Sequence, residues 1–275
     1  MTVMDSSPVP HLPKFPVLER PPIVEVVCGV VFEPLELDGM VLGVYWDGRK
    51  TEYPSRSLQP AFSDDPEIIL GSPPLRALLV SVDRVRVLQL QHDRFFMNWR
   101  ALGSNYPRFS SREGAPGLLF EALVEFGKLA DFCHDRFGKR PVPLRVELSK
   151  IDVIERDKHW QDLDDLAKIV PLTGTFKNVR SVGSREFNLQ FVEREGTTSL
   201  IVGVSSIADH AGGAMRATRI EARSIHPIGE KENIEQAFTR ANEAVNKAFF
   251  QLINLEELGR FGNVGEVHDE HHDHQ

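Results

Sequence analysis

A chain of 275 residues with 41% hydrophobic and 26% charged side chains can bury a sizeable core, which excludes disordered and collagen-like classes. Its 40 acidic against 32 basic residues leave a formal charge of -8, which excludes unselective attraction to nucleic acid or an anionic membrane but not a local basic patch. Only Cys28 and Cys133 are present, both within apolar patterns, which argues against a disulfide framework and for a reducing compartment, expected to be the cytoplasm.

Six of the first 22 residues are proline, which fixes φ and withholds a backbone donor, so an extended arm is expected over residues 1–22, laid on the body through Leu12, Phe15 and Val17. The arm lacks the basic start and apolar run of a secretion signal. No stretch approaches the roughly 18 apolar residues of a membrane-spanning helix, so no membrane partner is expected.

The β-branched run "IVEVVCGVVF" from Ile23 predicts a strand buried on both faces. Residues 34–80, broken by "WDGRK", "SDDPE" and "GSPP", carry no clear period, with "LRALLV" readable as a short helix or a strand. "RVRVLQLQ" from Arg84 alternates and predicts a strand, and "DRFF" turns into its hairpin partner. Leu119, Leu123, Phe126, Ala130, Cys133 and Phe137 recur at helical spacing before Gly138, predicting a long amphipathic helix over 117–137. In "VPLRVELSKIDVI", Leu144, Val146 and Leu148 share one face of a strand and Arg145 and Glu147 the other. A short helix with acids near its start follows, ended by Pro171. "REFNLQFVE", "TSLIVGVSSI" and "MRATRIEARSI" then predict three hairpin-linked antiparallel strands, and Ile234, Ala237, Phe238, Ala241, Val245, Phe249 and Leu252 a second long amphipathic helix.

The expected fold class is α+β, antiparallel sheet with two long amphipathic helices packed on one face. The body spans 23–262. Two similar strand-strand-helix lobes, about 23–155 and 172–262, stay open as a finer reading. Residues 263–275 read as a disordered tail rich in His and acids, whose His268, His271, His272 and His274 lack the packed neighbours that a structured metal site needs.

Four stretches in order, "PPIVEVVCGVVFEPL", "VLQLQHDRFFMNWRALGSNYPRF", "VELSKIDVI" and "ANEAVNKAFFQLINLEELGRFG", resemble a sporadically distributed prokaryotic protein family of about 260 residues with no assigned function. The resemblance covers residues 21–262. Where that family's pattern reads "RYIN" or "SYIN", this chain has Ser149-Lys150-Ile151-Asp152, so the aromatic is missing and Asp replaces the amide. The resemblance implies a prokaryotic cytosolic protein of an accessory, mobile or defence-type system, and it transfers no catalytic residue.

Between Arg94 and Arg112 lie four arginines, five aromatics and no acid, an unusual concentration in an acidic chain. Arg94, Trp99, Arg100, Tyr106, Arg108 and Arg112 are therefore the candidate binding residues, since arginine pairs phosphates and stacks on bases. The competing reading places Phe96, Trp99 and Phe109 in the core and pairs the arginines with local acids such as Glu113 and Glu121.

Elsewhere Cys133-His134-Asp135 points its three side chains about 100° apart on a helix and forms no relay. His159 with Asp162, Asp164 and Asp165 reads as a solvated helix start as readily as a cation site. "HAGGAMR" lacks the strand-loop-helix context of a phosphate cradle.

The leading expectation is a cytoplasmic binding or interaction protein holding an unidentified protein or nucleic acid, with a homo-oligomer compatible. No catalytic residue, metal ligand or cofactor is assigned. A metal-dependent hydrolase or nuclease using Asp152, Asp162 and Asp165 is the alternative, and a small-ligand receptor with an apolar cavity between sheet and helices is a further one.

Overall fold

Alternating residues dominate the centre of the chain, and they build the centre of one sheet. The computed structural model describes residues 15–62, 74–103, 106–110, 116–178, 187–208, 215–262 and 264–265. The described strands are β1 (Val17–Leu18), β2 (Ile23–Phe32), β3 (Ser55–Pro60), β4 (Leu75–Val80), β5 (Arg86–Gln91), β6 (Arg94–Arg100), β7 (Pro143–Glu155), β8 (Asn188–Glu195), β9 (Thr198–Ala208), β10 (Met215–Pro227) and β11 (Val264–Gly265). The α-helices are α1 (Gly39–Arg49), α2 (Leu118–Phe137), α3 (Leu163–Ile169) and α4 (Ile234–Leu252). Nine strands form one antiparallel sheet in the order β3-β4-β5-β6-β2-β7-β10-β9-β8, and the fold is α+β.

Strand parity decides what each face carries. At the central β2–β7 pair, Cys28 lies opposite Leu148 on one face and Val27 opposite Ser149 on the other. The first face, with Val26, Val30, Leu88, Phe95, Met97 and Val146, merges into a single core with Leu118 and Leu129 of α2 and Phe238 and Val245 of α4. Each such fully buried apolar side chain contributes roughly 1.5–3 kcal/mol. A second core joins Ile154, Val204 and Ile220 to Trp160, Ile169, Phe249 and Phe261.

The predicted helices and strands of the chain's middle and end are present, with ends shifted by a few residues. The segment 34–80 differs most from its sequence signal. "LRALLV" is the strand β4, and "WDGRK" does not break the chain but lies in and just after α1. Gly43 and Gly48 each cost about 1 kcal/mol inside a helix. Asp38 offsets part of that as N-cap, its carboxylate accepting from Met40 N and Val41 N at 2.9 Å. Packing supplies the rest: Leu42 and Tyr45 are buried, and Trp46 Nε1 donates to Tyr53 O at 2.9 Å. Pro171, expected only to end a helix, also opens a 3-10 segment running to Asn178.

Gly138 closes α2 with φ of 67° and donates its N–H to His134 O at 2.8 Å, a left-handed cap that favours glycine. Of the proline-rich arm, residues 1–14 lie outside the described part; Val17 and Leu18 pair with Val264 and Gly265, and Phe15 stacks on Phe250 of α4 at 5.4 Å. No helix among the described residues is long and apolar enough to cross a membrane.

The start of α4 is fixed by a reciprocal pair: Asn233 Oδ1 accepts from Gln236 N at 2.8 Å, and Gln236 Oε1 accepts from Asn233 N at 3.0 Å. Asn233→Ala is expected to lower stability by about 1 kcal/mol, read as a lower urea midpoint with an unchanged slope.

Candidate binding site on the open face of the sheet

The face of the sheet turned away from the two main helices is polar, and its polar groups are joined across strands. Arg76 on β4 donates to Gln59 Oε1 at 2.5 Å and to Gln89 Oε1 at 2.8 Å. Gln89 Nε2 passes a hydrogen bond to Asn98 Oδ1 at 2.8 Å, and Asn98 Nδ2 passes one to Glu25 Oε1 at 2.6 Å. Arg100 lies 3.6 Å from the same carboxylate. The ladder spans β3, β4, β5, β6 and β2, and the cation at one end with the carboxylate at the other orients both amides.

Beyond β2 the charges are denser. Glu147 on β7, almost fully buried, accepts from Arg145 Nε and Nη2 at 3.2 and 3.1 Å and from Arg223 Nη2. Arg219 and Glu221 pair at 2.6 Å, and Arg94 donates to Asp93 at 3.3 Å. Among these groups lies a half-open cavity of about 290 Å³ whose walls include Arg94, Asn98, Glu147, Ser149, Glu221 and Arg223. Val27, Phe62 and Phe96 form its apolar part, the two rings edge to face at 6.0 Å. The Phe96 ring lies across Gly29 of β2, where any Cβ would collide with ring carbons, so glycine there lets the ring take its place in the cavity wall.

Counted over these bonded groups, the face carries six arginines (76, 94, 100, 145, 219 and 223) against four carboxylates (Glu25, Asp93, Glu147 and Glu221), a local charge of +2 in a chain of -8. Arg76 stands apart. Among the described residues its partners are the two amides and the Phe62 ring, 3.7 Å beneath its guanidinium carbon. Its Nε is buried with no hydrogen-bond partner, and desolvation pushes the pKa of this guanidinium down.

The sequence-predicted residues divide by parity and position. Arg94 and Arg100 lie on this open face, at opposite ends of β6. Trp99 and Tyr106 meet at 5.6 Å on the helix side, where Trp99 is fully buried. Arg108 sits in the following loop with φ of 72°, and Arg112 and Glu113 lie outside the described residues. The six residues thus do not form one surface. Of the three rings expected in the core, Trp99 and Phe109 belong to it, while Phe96 points to the open face; among the described residues Glu121 pairs with Arg86.

On the helix side, Lys150 and Asp152 of β7 are buried beneath α4. Lys150 Nζ donates to Asn246 Oδ1 at 2.8 Å and lies 5.5 Å from the Phe109 ring centre, close to Tyr106, whose buried hydroxyl has no hydrogen-bond partner. Desolvation pushes Asp152 up to about 7 against the pull of Lys150, and pushes Lys150 down to about 8 against the pull of Asp152.

The other candidates serve structure. Asp162 caps α3, accepting from Asp165 N at 2.8 Å, and Asp165 receives Arg260 in two bonds of 2.9 and 2.7 Å. His159 Nδ1 accepts from Glu155 N at 3.0 Å. Asp152, Asp162 and Asp165 therefore do not converge, and the described residues hold no group of three or more His, Cys, Asp or Glu arranged for a metal. Burial raises the thiols of Cys28 to about 12 and Cys133 to about 11, so both stay protonated at neutral pH; His134 and Asp135 beside Cys133 are exposed. The "HAGGA" loop and the His-rich tail lie outside the described residues. No family model and no curated protein matches this chain.

Two outcomes follow from this geometry. Between the ordinary carboxylate pKa near 4 and about 7, folded Asp152 holds a proton that the unfolded chain has lost, so its contribution to stability falls as pH rises through that window. Between about 8 and the ordinary lysine value near 10.5, folded Lys150 has lost a proton that the unfolded chain holds, so stability recovers as pH rises. The pair costs most between pH 7 and 8. Asp152→Asn alone should cost about 3–5 kcal/mol at pH 7.5, whereas Lys150→Met with Asp152→Leu should be neutral or stabilising, its advantage shrinking toward pH 4 and toward pH 10.5 in urea titrations. Gly29→Val should displace Phe96 and cost about 1–3 kcal/mol, read as a lower thermal midpoint.

Proposed function

We propose that this chain is a binding protein that holds an anionic group of its partner in the cavity on the open face of its sheet. The observation that carries the reading is the local excess of guanidinium over carboxylate among the bonded groups of this face in an acidic protein, with Arg76 buried against amides and a ring and, among the described residues, no carboxylate paired with it. A partner phosphate or carboxylate at the Phe62 end of the cavity, where the ring lies against Arg76, would supply negative charge to that guanidinium, and Arg94 and Arg223, which share the walls with Glu147 and Glu221, are planar groups suited to either anion. Phe62 and Phe96 would take the apolar part of the same ligand.

The partner is then an acidic protein segment or a nucleic acid in a prokaryotic accessory system, in keeping with the family resemblance. Part of the support is architectural. β2-α1-β3-β4-β5-β6-α2 is followed by β7-α3-β8-β9-β10-α4, each run a strand, a helix, further strands and a long amphipathic helix. The lobe bounds expected from the sequence, about 23–155 and 172–262, put β7 in the first lobe; we read β7 instead as opening the second, so that the two similar lobes meet at the β2–β7 pair with the cavity beside the seam.

The test is fluorescence anisotropy of the full chain with two labelled probes, a single-stranded oligonucleotide and a glutamate-rich peptide, at low and high salt. At least one should bind, more weakly as salt rises. Arg76→Met should weaken it about fivefold or more while leaving stability unchanged or raised, because the variant removes a buried, unbalanced charge. Failure of both probes at low salt, or unaltered binding by Arg76→Met, would overturn the reading.

A further inference from the structure

The solvent side of α2 carries an apolar pair that the core does not use. Phe120 and Val124, one helical turn apart, are 55% and 40% exposed, while Leu119, Leu123 and Phe126 face inward or pack against the core. Val82, 70% exposed at the β4–β5 turn, stands across from them. Between helix and turn runs a groove of about 480 Å³, with Met97 at its floor. A soluble chain gains nothing from leaving three large apolar side chains together in water, and such a cluster with a polar rim is the usual signature of a contact surface.

The rim indicates what fits. Four carboxylates line the groove, those of Glu52, Asp83, Glu121 and Glu125, against one guanidinium, that of Arg86. Each is held in place. Arg86 grips Glu121 through Nε at 3.0 Å and Nη2 at 2.8 Å. Arg49 Nη2 reaches Glu52 and Glu125, both at 2.8 Å, and Lys128 Nζ reaches Glu125 at 2.9 Å; neither Arg49 nor Lys128 lines the groove. Asp83 accepts from Ser81 Oγ at 2.6 Å and Val85 N at 2.9 Å. A carboxylate has about four lone-pair sites, so these bonds fix the acids without exhausting them. Glu52 and Asp83, with side chains 53% and 58% exposed, are the most accessible of the four.

We propose that this groove docks a short cationic amphipathic segment of a partner protein, its apolar side chains on Phe120, Val124 and Val82 and its Lys or Arg on Glu52 and Asp83. The two surfaces divide by sign. Counted over bonded groups on both surfaces, the open sheet face sets six arginines against four carboxylates, the groove on the helix side sets four carboxylates against Arg86, Arg49 and Lys128, and this proposal does not depend on the anion reading of the sheet.

The experiment is selection of a phage-displayed library of random 12-residue peptides on the immobilised full chain, followed by titration of the enriched peptides. Enriched peptides should combine Lys or Arg with Leu, Ile or Phe and lose affinity as salt rises. They should bind about tenfold more weakly to Phe120→Ser and to Val82→Ser, and about threefold or more weakly to Asp83→Asn with Glu52→Gln. Phe120 and Val82 are exposed, so those variants keep the fold, and unchanged melting temperatures verify it. Arg76→Met should leave peptide binding unchanged, which separates the groove from the sheet face. Enrichment of acidic or uncharged peptides, no enrichment at all, or equal binding to the Phe120→Ser and Val82→Ser variants would each overturn the proposal. So would concentration-dependent dimerisation that Phe120→Ser abolishes, because the occupant would then be a second copy of the chain.

Discussion

The register of β2 against β7 governs everything else in this molecule. Cys28 opposite Leu148 and Val27 opposite Ser149 fix which side of the central pair is apolar, and each neighbouring strand inherits the choice through its own pairing. A slip of one residue would turn Glu147 into the helix-covered core and Leu148 into water. The irregularities in this pairing fall near its two ends, between Ile23 and Glu25 and between Val31 and Phe32, leaving the middle in strict alternation. That constraint lets five strands contribute side chains to one polar ladder without any one of them needing a special local structure.

Lys150 and Asp152 break the parity rule, being charged residues on the apolar face. They are tolerated because each offsets the other and because Asn246 of α4 receives the ammonium. Tolerance is not gain, since desolvating two charges in a protein interior generally exceeds what their attraction returns. An amine and a carboxylate side by side preserve neutrality, which either would violate alone. What the pair does provide is direction: it ties the strand that runs through the middle of the sheet to one turn of α4, where an apolar contact could slide.

The sequence made most of the architecture legible, for identifiable reasons. β2, the β5–β6 hairpin, β7, the three strands from β8 to β10, and the helices α2 and α4 each repeat one period over enough residues to outweigh local exceptions. α1 was not legible because Gly43, Gly48 and the "WDG" run interrupt its stripe, and its one clear signal was Asp38 in N-cap position. The site was half legible. A cluster of arginines and rings in one stretch drew attention to β6, but a strand sends neighbours to opposite faces, so Trp99 went inward where Arg94 and Arg100 went outward. The residues that complete the face, Arg76, Glu147 and Arg223, are scattered across the chain, and only pairing brings them together.

Arginine accounts for how the open face can be both stable and receptive. Glu147 is shared between Arg145 and Arg223, and a guanidinium carries five N–H donors, more than one carboxylate takes up, so Arg223 can keep this bond and still meet the anion proposed above. Lysine at these positions would concentrate its charge on one strongly hydrated atom and lose the planar fork. Arg76 adds the asymmetry: among the described residues no carboxylate pairs with it, its Nε is buried without a hydrogen-bond partner, and two amides hold its other nitrogens. A desolvated charge held without an opposite charge raises the free energy of the protein that carries it, and this cost is the physical basis of the anion-binding reading proposed above.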